Sequence, residues 1–288
     1  MNLVLRYSCL AILFVSGIIS CKKPSEEEST PNAGNLRISR IVQDVASAPG
    51  GHVAVTDFIY DDQKRIQKIN YSGGDSVNGG LIITKINGVT FYYNGIEKNP
   101  YKTSGQSPDN SYWTAEAYFF YNSFGELILD SIRPVGQETN YKLRNYNYSS
   151  DRIIVKRTDS LARSVFYDSL PVKNHNLTGI FYNITRSTQL VGYQCTYDNK
   201  INPLSLLNIA AQKTIEGVEG FPMDGLAPGY CQNNIKEYSM GYVTSQGEFV
   251  KQLTRKFSFT YTKEGLPEKC VVITERETYI FNYYYKEL

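Results

Sequence analysis

The sequence predicts an all-β protein, an antiparallel multi-hairpin meander that forms one large curved sheet or an open barrel. Three observations predict it. Tyrosine supplies 24 of the 288 residues and phenylalanine 13, against one tryptophan, and such residues favour a pleated, half-buried surface. Apolar and polar residues alternate with period two, as in Phe257, Phe259 and Tyr261 set among Lys256, Ser258 and Thr260, which gives a strand one apolar and one polar face. One phrase also recurs along the chain: an aromatic strand end, a polar turn and an aliphatic strand start.

The chain opens on a different kind of segment. Residues 1–20 carry Arg6 and then an apolar run from Cys9 to Ile19. That run is shorter than the roughly 20 residues needed to cross a bilayer and has the layout of a secretory signal peptide. Ile18-Ile19-Ser20-Cys21 resembles the bacterial lipobox. The resemblance implies cleavage before Cys21 and acyl chains on its thiol and new amine, a step that needs the nucleophilicity of sulfur. Several acyl chains make anchoring stable where one does not. Residues 21–35 are charged, contain proline and lack aromatic residues, so they cannot bury apolar area and read as a disordered tether. Within them Ser25-Glu26-Glu27-Glu28 resembles the acidic export signal of Bacteroidetes-type surface lipoproteins, although glutamates also simply solvate a tether. The implied address is the outer membrane, lipid-anchored and exposed at the cell surface.

Residues 36–288 form the single folded domain. The phrase first appears as Phe58-Ile59-Tyr60-Asp61-Asp62-Gln63-Lys64-Arg65-Ile66 and again as Phe119-Phe120-Tyr121-Asn122-Ser123-Phe124-Gly125-Glu126-Leu127. Altered forms follow around Tyr148, Tyr197 and Tyr261. A polar residue after the tyrosine can bond backbone N–H groups, and Gly125 and Gly265 tolerate positive φ, so each phrase reads as a hairpin. Spacing between phrases is irregular, which excludes a solenoid or propeller of fixed period. The stretch from Pro203 to Gln212 has helical spacing behind a proline suited to a first turn, predicting one short helix near residues 203–213. A Gly/Pro-rich loop, 217–229, follows it. Tyr279, Phe281, Tyr283 and Tyr285 share one face of a last strand, expected to pair near the strand that begins at Lys269.

These phrases, with Tyr197-Asp198-Asn199-Lys200-Ile201-Asn202-Pro203, Asn233-Asn234-Ile235 and the closing tyrosine-rich strand, resemble a group of Bacteroidetes surface lipoproteins. Their tyrosine-rich, multi-hairpin domain is described as porin-like in fold and is distantly similar to the YD repeats of bacterial surface and toxin shells. The resemblance covers most of residues 36–288 and rests on structural motifs. It implies no catalytic residues, and at Tyr121, Tyr148 and Tyr261 the residue after the tyrosine is Asn, Ser or Thr instead of Asp.

Chemistry is sparse. With 30 Lys and Arg against 28 Asp and Glu, there is no electrostatic case for nucleic acid. Only His52 and His175 are present, neither beside a nucleophile elbow, and both read as surface histidines. Phosphate-cradling loops are absent. Cys195, Cys231 and Cys270 lack metal-ligand spacing and read as buried thiols or at most one disulfide. No metal or cofactor is expected. Paired carboxylates could serve glycoside hydrolysis, but Asp61 and Asp198 have a turn role open to them. Asn176-Leu177-Thr178 and Asn183-Ile184-Thr185 match the glycosylation sequon by chance in a bacterial lipoprotein. The candidate ligand-binding residues are aromatic: Tyr112 and Trp113 after a polar loop, and Phe221 in the Gly/Pro loop. Trp113 also reads as core of the next strand, since Ala115 and Ala117 share its face. The expected function is therefore non-catalytic binding or a structural role at the envelope, with the membrane, another envelope protein or a glycan as partner. Glycan capture for polysaccharide uptake is the alternative, and a carboxylate-dependent hydrolase comes third. A membrane-spanning porin is disfavoured, because the strands show no continuous apolar outward band.

Overall fold

A computed structural model describes residues 34–45, 52–77, 80–106, 115–136, 139–182, 190–207, 231–274 and 278–288. The first strands are β1 (Leu36–Val45), β2 (His52–Tyr60), β3 (Ile66–Val77), β4 (Gly80–Tyr92), β5 (Lys102–Gln106) and β6 (Ala115–Tyr121). Next come β7 (Leu127–Pro134), β8 (Lys142–Tyr148), β9 (Arg152–Asp159), β10 (Ser164–Lys173), β11 (Asn176–Leu177) and β12 (Gly179–Tyr182). The chain ends with β13 (Leu190–Ile201), β14 (Asn233–Val243), β15 (Phe249–Tyr261), β16 (Pro267–Ile273) and β17 (Thr278–Glu287). Neighbours in sequence pair antiparallel from β1 to β10 and from β12 to β17. A single bridge, Ser169 to Phe181, joins β10 to β12, and the two-residue β11 folds back on β10 alone.

The expected curved sheet closes on itself. β1 pairs with β17 from Leu36 opposite Glu287 to Val45 opposite Tyr279, so sixteen strands form an antiparallel barrel and no edge strand is left by the termini. β16 pairs with β17 from Lys269 opposite Asn282, as expected. Pro203 to Leu207 form a 3₁₀ turn, the described part of the expected helix, and Pro203, Leu204 and Leu207 are buried. Asn202 caps that turn through Leu204 N, 3.1 Å, and its amide donates to the Cys231 carbonyl, 2.8 Å.

The repeated phrase builds one end of the barrel. In the two full copies a five-residue turn recurs with the same backbone bonds: Lys64 N to Asp61 O, 2.9 Å, and Gly125 N to Asn122 O, 2.9 Å. The turn polar residue then bonds N–H groups within the loop, Asp61 to Gln63 and Arg65 and Asn122 to Phe124 and Glu126. Residues 262–266 repeat the backbone pattern at the same end, and residues 244–248, between β14 and β15, repeat it at the opposite end. Its fourth position needs positive φ and is Gly125, Gly247 or Gly265 in three turns and Lys64, at φ 63°, in the other. Around Tyr197 the outcome differs from the expected hairpin. β13 continues to Ile201, and residues 198–200 form a bulge opposite Asn234.

The tyrosine of each phrase points into the barrel and ties neighbouring strands together. Hydroxyls of Tyr60, Tyr93, Tyr121, Tyr148 and Tyr285 donate to the carbonyls of Ile38 (2.8 Å), Ile66 (2.7 Å), Pro100 (2.7 Å), Leu127 (2.8 Å) and Pro267 (2.7 Å). Tyr197 donates to the Leu177 carbonyl, and Tyr261 to the Asp198 carboxylate. Each ring is thus a hydrophobic body with a satisfied polar tip, and together they form a girdle at the end where β1 begins and β17 ends. Above the girdle lie Ile38, Phe58, Ile66, Ile69, Phe257, Cys270 and Phe281, each at most 5% exposed. Phe119, Leu127, Ile153 and Leu177 form a second cluster from β6 to β11, and Leu170 and Tyr197 touch both clusters. Burying each such side chain contributes about 1.5–3 kcal/mol.

The opposite face of the strands is mixed, with polar and charged residues interrupted by exposed Ile59, Phe120, Val191, Ile273 and Tyr284. Ser258, Thr260 and Lys256 alternate with the buried Phe257 and the half-buried Phe259, and ion pairs Arg40–Asp57, Lys102–Glu116 and Lys251–Glu237 stand on the outer wall at 2.6, 2.5 and 3.0 Å.

Candidate binding groove

The seam where β10 meets β12 opens a groove on the outer wall. Its volume is about 350 Å³, and Pro171, Thr178, Phe181, Gln194, Cys195, Thr196, Glu237, Ser239 and Lys251 line it. Gln194 and Thr196 project outward because Tyr193, Cys195 and Tyr197, their alternating neighbours, face the core. Glycines shape the floor. Phe181 sits opposite Gly192, itself opposite Gly241, and a Cβ at either glycine would strike a neighbouring strand's carbonyl oxygen at 2.1 Å. The Phe181 ring leans over Gly179 and meets Phe249 edge-on, with centroids 6.2 Å apart.

The polar groups of the groove are hydroxyls, one amide and one ion pair. Ser239 Oγ lies 2.9 Å from Thr254 Oγ1. Lys251 Nζ donates to Glu237 Oε1 at 3.0 Å, and that bond holds the Glu237 carboxyl below its ordinary range. Glu237 is the one carboxylate among the lining residues, so the groove offers hydrogen bonds and a ring face and lacks the two opposed acids that glycoside hydrolysis requires.

Beside the groove, the residues quoted for the family resemblance lock the bulged end of β13. Asn176 and Asn233 bond reciprocally, Nδ2 to Oδ1 at 2.9 Å and N to Oδ1 at 3.0 Å. Asp198 accepts from Lys200 N (2.9 Å), Asn234 N (3.2 Å) and the Tyr261 hydroxyl. These groups are committed to structure. The same holds for Asp61, whose carboxylate takes Arg65 Nε at 2.8 Å; burial opposes its ionisation, yet the Arg65 bonds outweigh it and keep the carboxyl below its usual range. The side chain of Asn176 is buried, which leaves its sequon inaccessible.

Inside the barrel, a polar quadrant crosses β7 to β10. Asp130, fully buried, accepts from Arg144 Nε at 3.0 Å and from the Tyr146 hydroxyl at 2.6 Å. Arg157 forks onto Asp168, its Nη2 2.9 Å from Oδ1. Cys195, Cys231 and Cys270 are buried free thiols. Burial pushes Cys195 up to about 12 and Cys231 upward as well, and Cys231 Sγ lies 3.2 Å from the Tyr197 hydroxyl. Among the described residues no group of His, Cys, Asp and Glu could hold a metal.

Of the residues singled out from sequence, Cys21, Tyr112, Trp113 and Phe221 lie outside the described residues. His175 is exposed and, with Asn174, supplies the two positive φ angles of the tight turn between β10 and β11. Sequence reasoning missed the groove. Its residues come from five strands, and the one local signal was the pair Gly192 and Gly241 inside otherwise β-rich runs, where glycine marks a close backbone approach.

No protein-family model matches the chain, and no curated protein matches its sequence. Solved structures do match. A porin-like protein from Bacteroides uniformis ATCC 8492 superposes with TM-score 0.54 at 13% identity, over 89% of this chain and 98% of that one. A porin-like protein from Bacteroides vulgatus ATCC 8482 gives TM-score 0.52 at 12% identity, over 88% of this chain and 99% of its own. The porin-like fold implied by the sequence resemblance is therefore shown.

Proposed function

We propose that this is a non-catalytic protein of the outer membrane, held by acyl chains on Cys21 and carrying its barrel in water beside the bilayer. The observation that supports the reading is the placement of ion pairs and of packed apolar groups. The outer wall carries Arg40–Asp57, Lys102–Glu116 and Lys251–Glu237 among scattered apolar side chains such as Ile59, Val191 and Ile273, while the interior holds two clusters of Ile, Phe, Leu and Tyr side chains beside the Asp130–Arg144 and Arg157–Asp168 pairs. A barrel that spans lipid needs a continuous apolar band on its outer wall, and an interior packed with buried aliphatic groups is not the wall of an aqueous channel. No helix among the described residues is long and apolar enough to cross a membrane, which says nothing about strands. β1 starts at the girdle end, so the chain that leads from Cys21 joins the barrel there.

The test is lipid labelling in cells and conductance in bilayers. Acyl incorporation that disappears in Cys21→Ala, together with no channel conductance from the purified protein, is expected. Detergent-dependent solubility of the unacylated Cys21→Ala chain would sink the reading.

Glycan capture is the second reading, and the groove favours it: 350 Å³ of space with hydroxyl, amide and aromatic lining suits a sugar ring or two. A glycan screen beside Phe181→Ala, Gln194→Ala and Trp113→Ala separates the possibilities. Saturable binding lost in the first two places the sugar in the groove, and loss only in the third places it at Trp113.

A further inference from the structure

Two apolar side chains at the girdle end stand in water. Ile96 is 87% exposed and Phe124 88%. They belong to adjacent connections, because Asn99 of the Ile96 loop donates its amide to the Gly125 carbonyl, 3.3 Å, in the Phe124 turn. Phe120 at 50% and Ile128 at 39%, alternating with the core-facing Phe119 and Leu127 on the two strands that the Phe124 turn joins, are exposed on the outer wall beside it. Isolated exposed apolar residues need no explanation, but a contiguous set marks a contact surface.

The entry point of the chain identifies what this surface meets. Asn35 accepts from Leu288 N at 3.2 Å, and the Leu288 carbonyl takes Lys64 Nζ at 2.6 Å. The neighbouring Arg65 reaches the carbonyls of Gly95 and Glu97 at 2.7 and 2.9 Å. One run of bonds thus places the start of β1 on the same end as Ile96 and Phe124. Residues 22–33 separate Cys21 from the first described residue and span at most about 45 Å when fully extended. A protein anchored at Cys21 is therefore tethered from this end.

We propose that Ile96 and Phe124 form a wedge that inserts into the lipid surface and seats the barrel upright on the membrane. The inference rests on the anchored reading above. Charges around the tip are of both signs, Asp62 and Glu97 against Lys64 and Lys98, so insertion is driven by apolar transfer and does not depend on anionic lipid.

The test uses the chain beginning at residue 21 with Cys21→Ser, which carries no acyl group, and phosphatidylcholine vesicles. Co-sedimentation is expected, unchanged between 0.1 and 1 M salt on the order of one Debye length to a third of it. Phe124→Ser and Ile96→Ser each lower the partition coefficient by about tenfold, equivalent to about 1.4 kcal/mol. Leu161→Ser, at a site 75% exposed in the turn between β9 and β10 at the far end, leaves it unchanged. Absence of vesicle binding overturns the proposal, as does equal loss in Leu161→Ser. Sedimentation velocity without vesicles is the further control: self-association abolished by Phe124→Ser would assign the surface to a second copy and overturn it too. Mass spectrometry of Cys21 in cell-made protein separates the two claims, since a bare Cys21 removes the anchor and leaves the partition result standing.

Discussion

Removing one girdle hydroxyl tests whether the recurring tyrosine holds strands together or only fills space. Tyr121 donates to the Pro100 carbonyl at 2.7 Å, and Pro100 is fully buried. Tyr121→Phe keeps the ring and its packing but leaves that carbonyl without this donor. A typical hydrogen bond contributes about 0.5–1.5 kcal/mol net, and stranding a buried acceptor costs about 1–3 kcal/mol. A loss of about 2 kcal/mol is expected, which in a domain of this size lowers Tm by roughly 4–8 °C. Thermal unfolding followed by far-ultraviolet circular dichroism reads it. Tyr284 is half-exposed on the outer wall, so Tyr284→Phe serves as the control and should shift stability by no more than about 0.5 kcal/mol. A Tyr121→Phe midpoint no different from that of Tyr284→Phe would refute the structural account of the repeated phrase.

Alkaline stability follows from the same hydroxyls. Burial raises the pKa of Tyr60, Tyr93, Tyr121 and Tyr285 above the ordinary 10.0, and a raised folded-state value means stability present below about pH 10 and lost as pH climbs beyond it. Absorbance at 295 nm should therefore show these phenols ionising together with loss of circular dichroism, and ionisation at pH 10 with the fold intact would contradict the girdle. Asp130→Asn removes the charge that faces Arg144 in the buried pair and should cost about 3–5 kcal/mol in urea unfolding, whereas neutralising the exposed Asp151 should leave the urea midpoint essentially where it was. Gly125→Ala forces an alanine to φ +77°, where Asn99 Nδ2 at 3.4 Å leaves room for the methyl, so the expected cost of about 1–2 kcal/mol is backbone strain alone; an unchanged denaturation midpoint would show that the turn relaxes.

Local chemistry was legible in the sequence. Alternation of Phe257, Phe259 and Tyr261 with polar residues, the aliphatic starts at Ile66, Leu127 and Leu266, and the turn roles of Asp61 and Asn122 all depend on contacts within a few residues, and the structure places each as expected. The tyrosine-rich face of β17 was equally readable, because period two needs no knowledge of the partner strand. Tertiary structure decided what lies beyond one hairpin. Closure of β1 on β17 sums the twist of every strand between them, and no single segment encodes that sum. Around Tyr197 the same phrase became a bulge instead of a turn because Asn176, Asn233 and Asn234 supply bonds from distant strands. The groove has the same origin: Thr178, Gln194, Thr196, Glu237 and Lys251 meet only through the register of β12 to β15, and register is a property of paired strands, set by long-range packing that the order of residues along one strand does not contain.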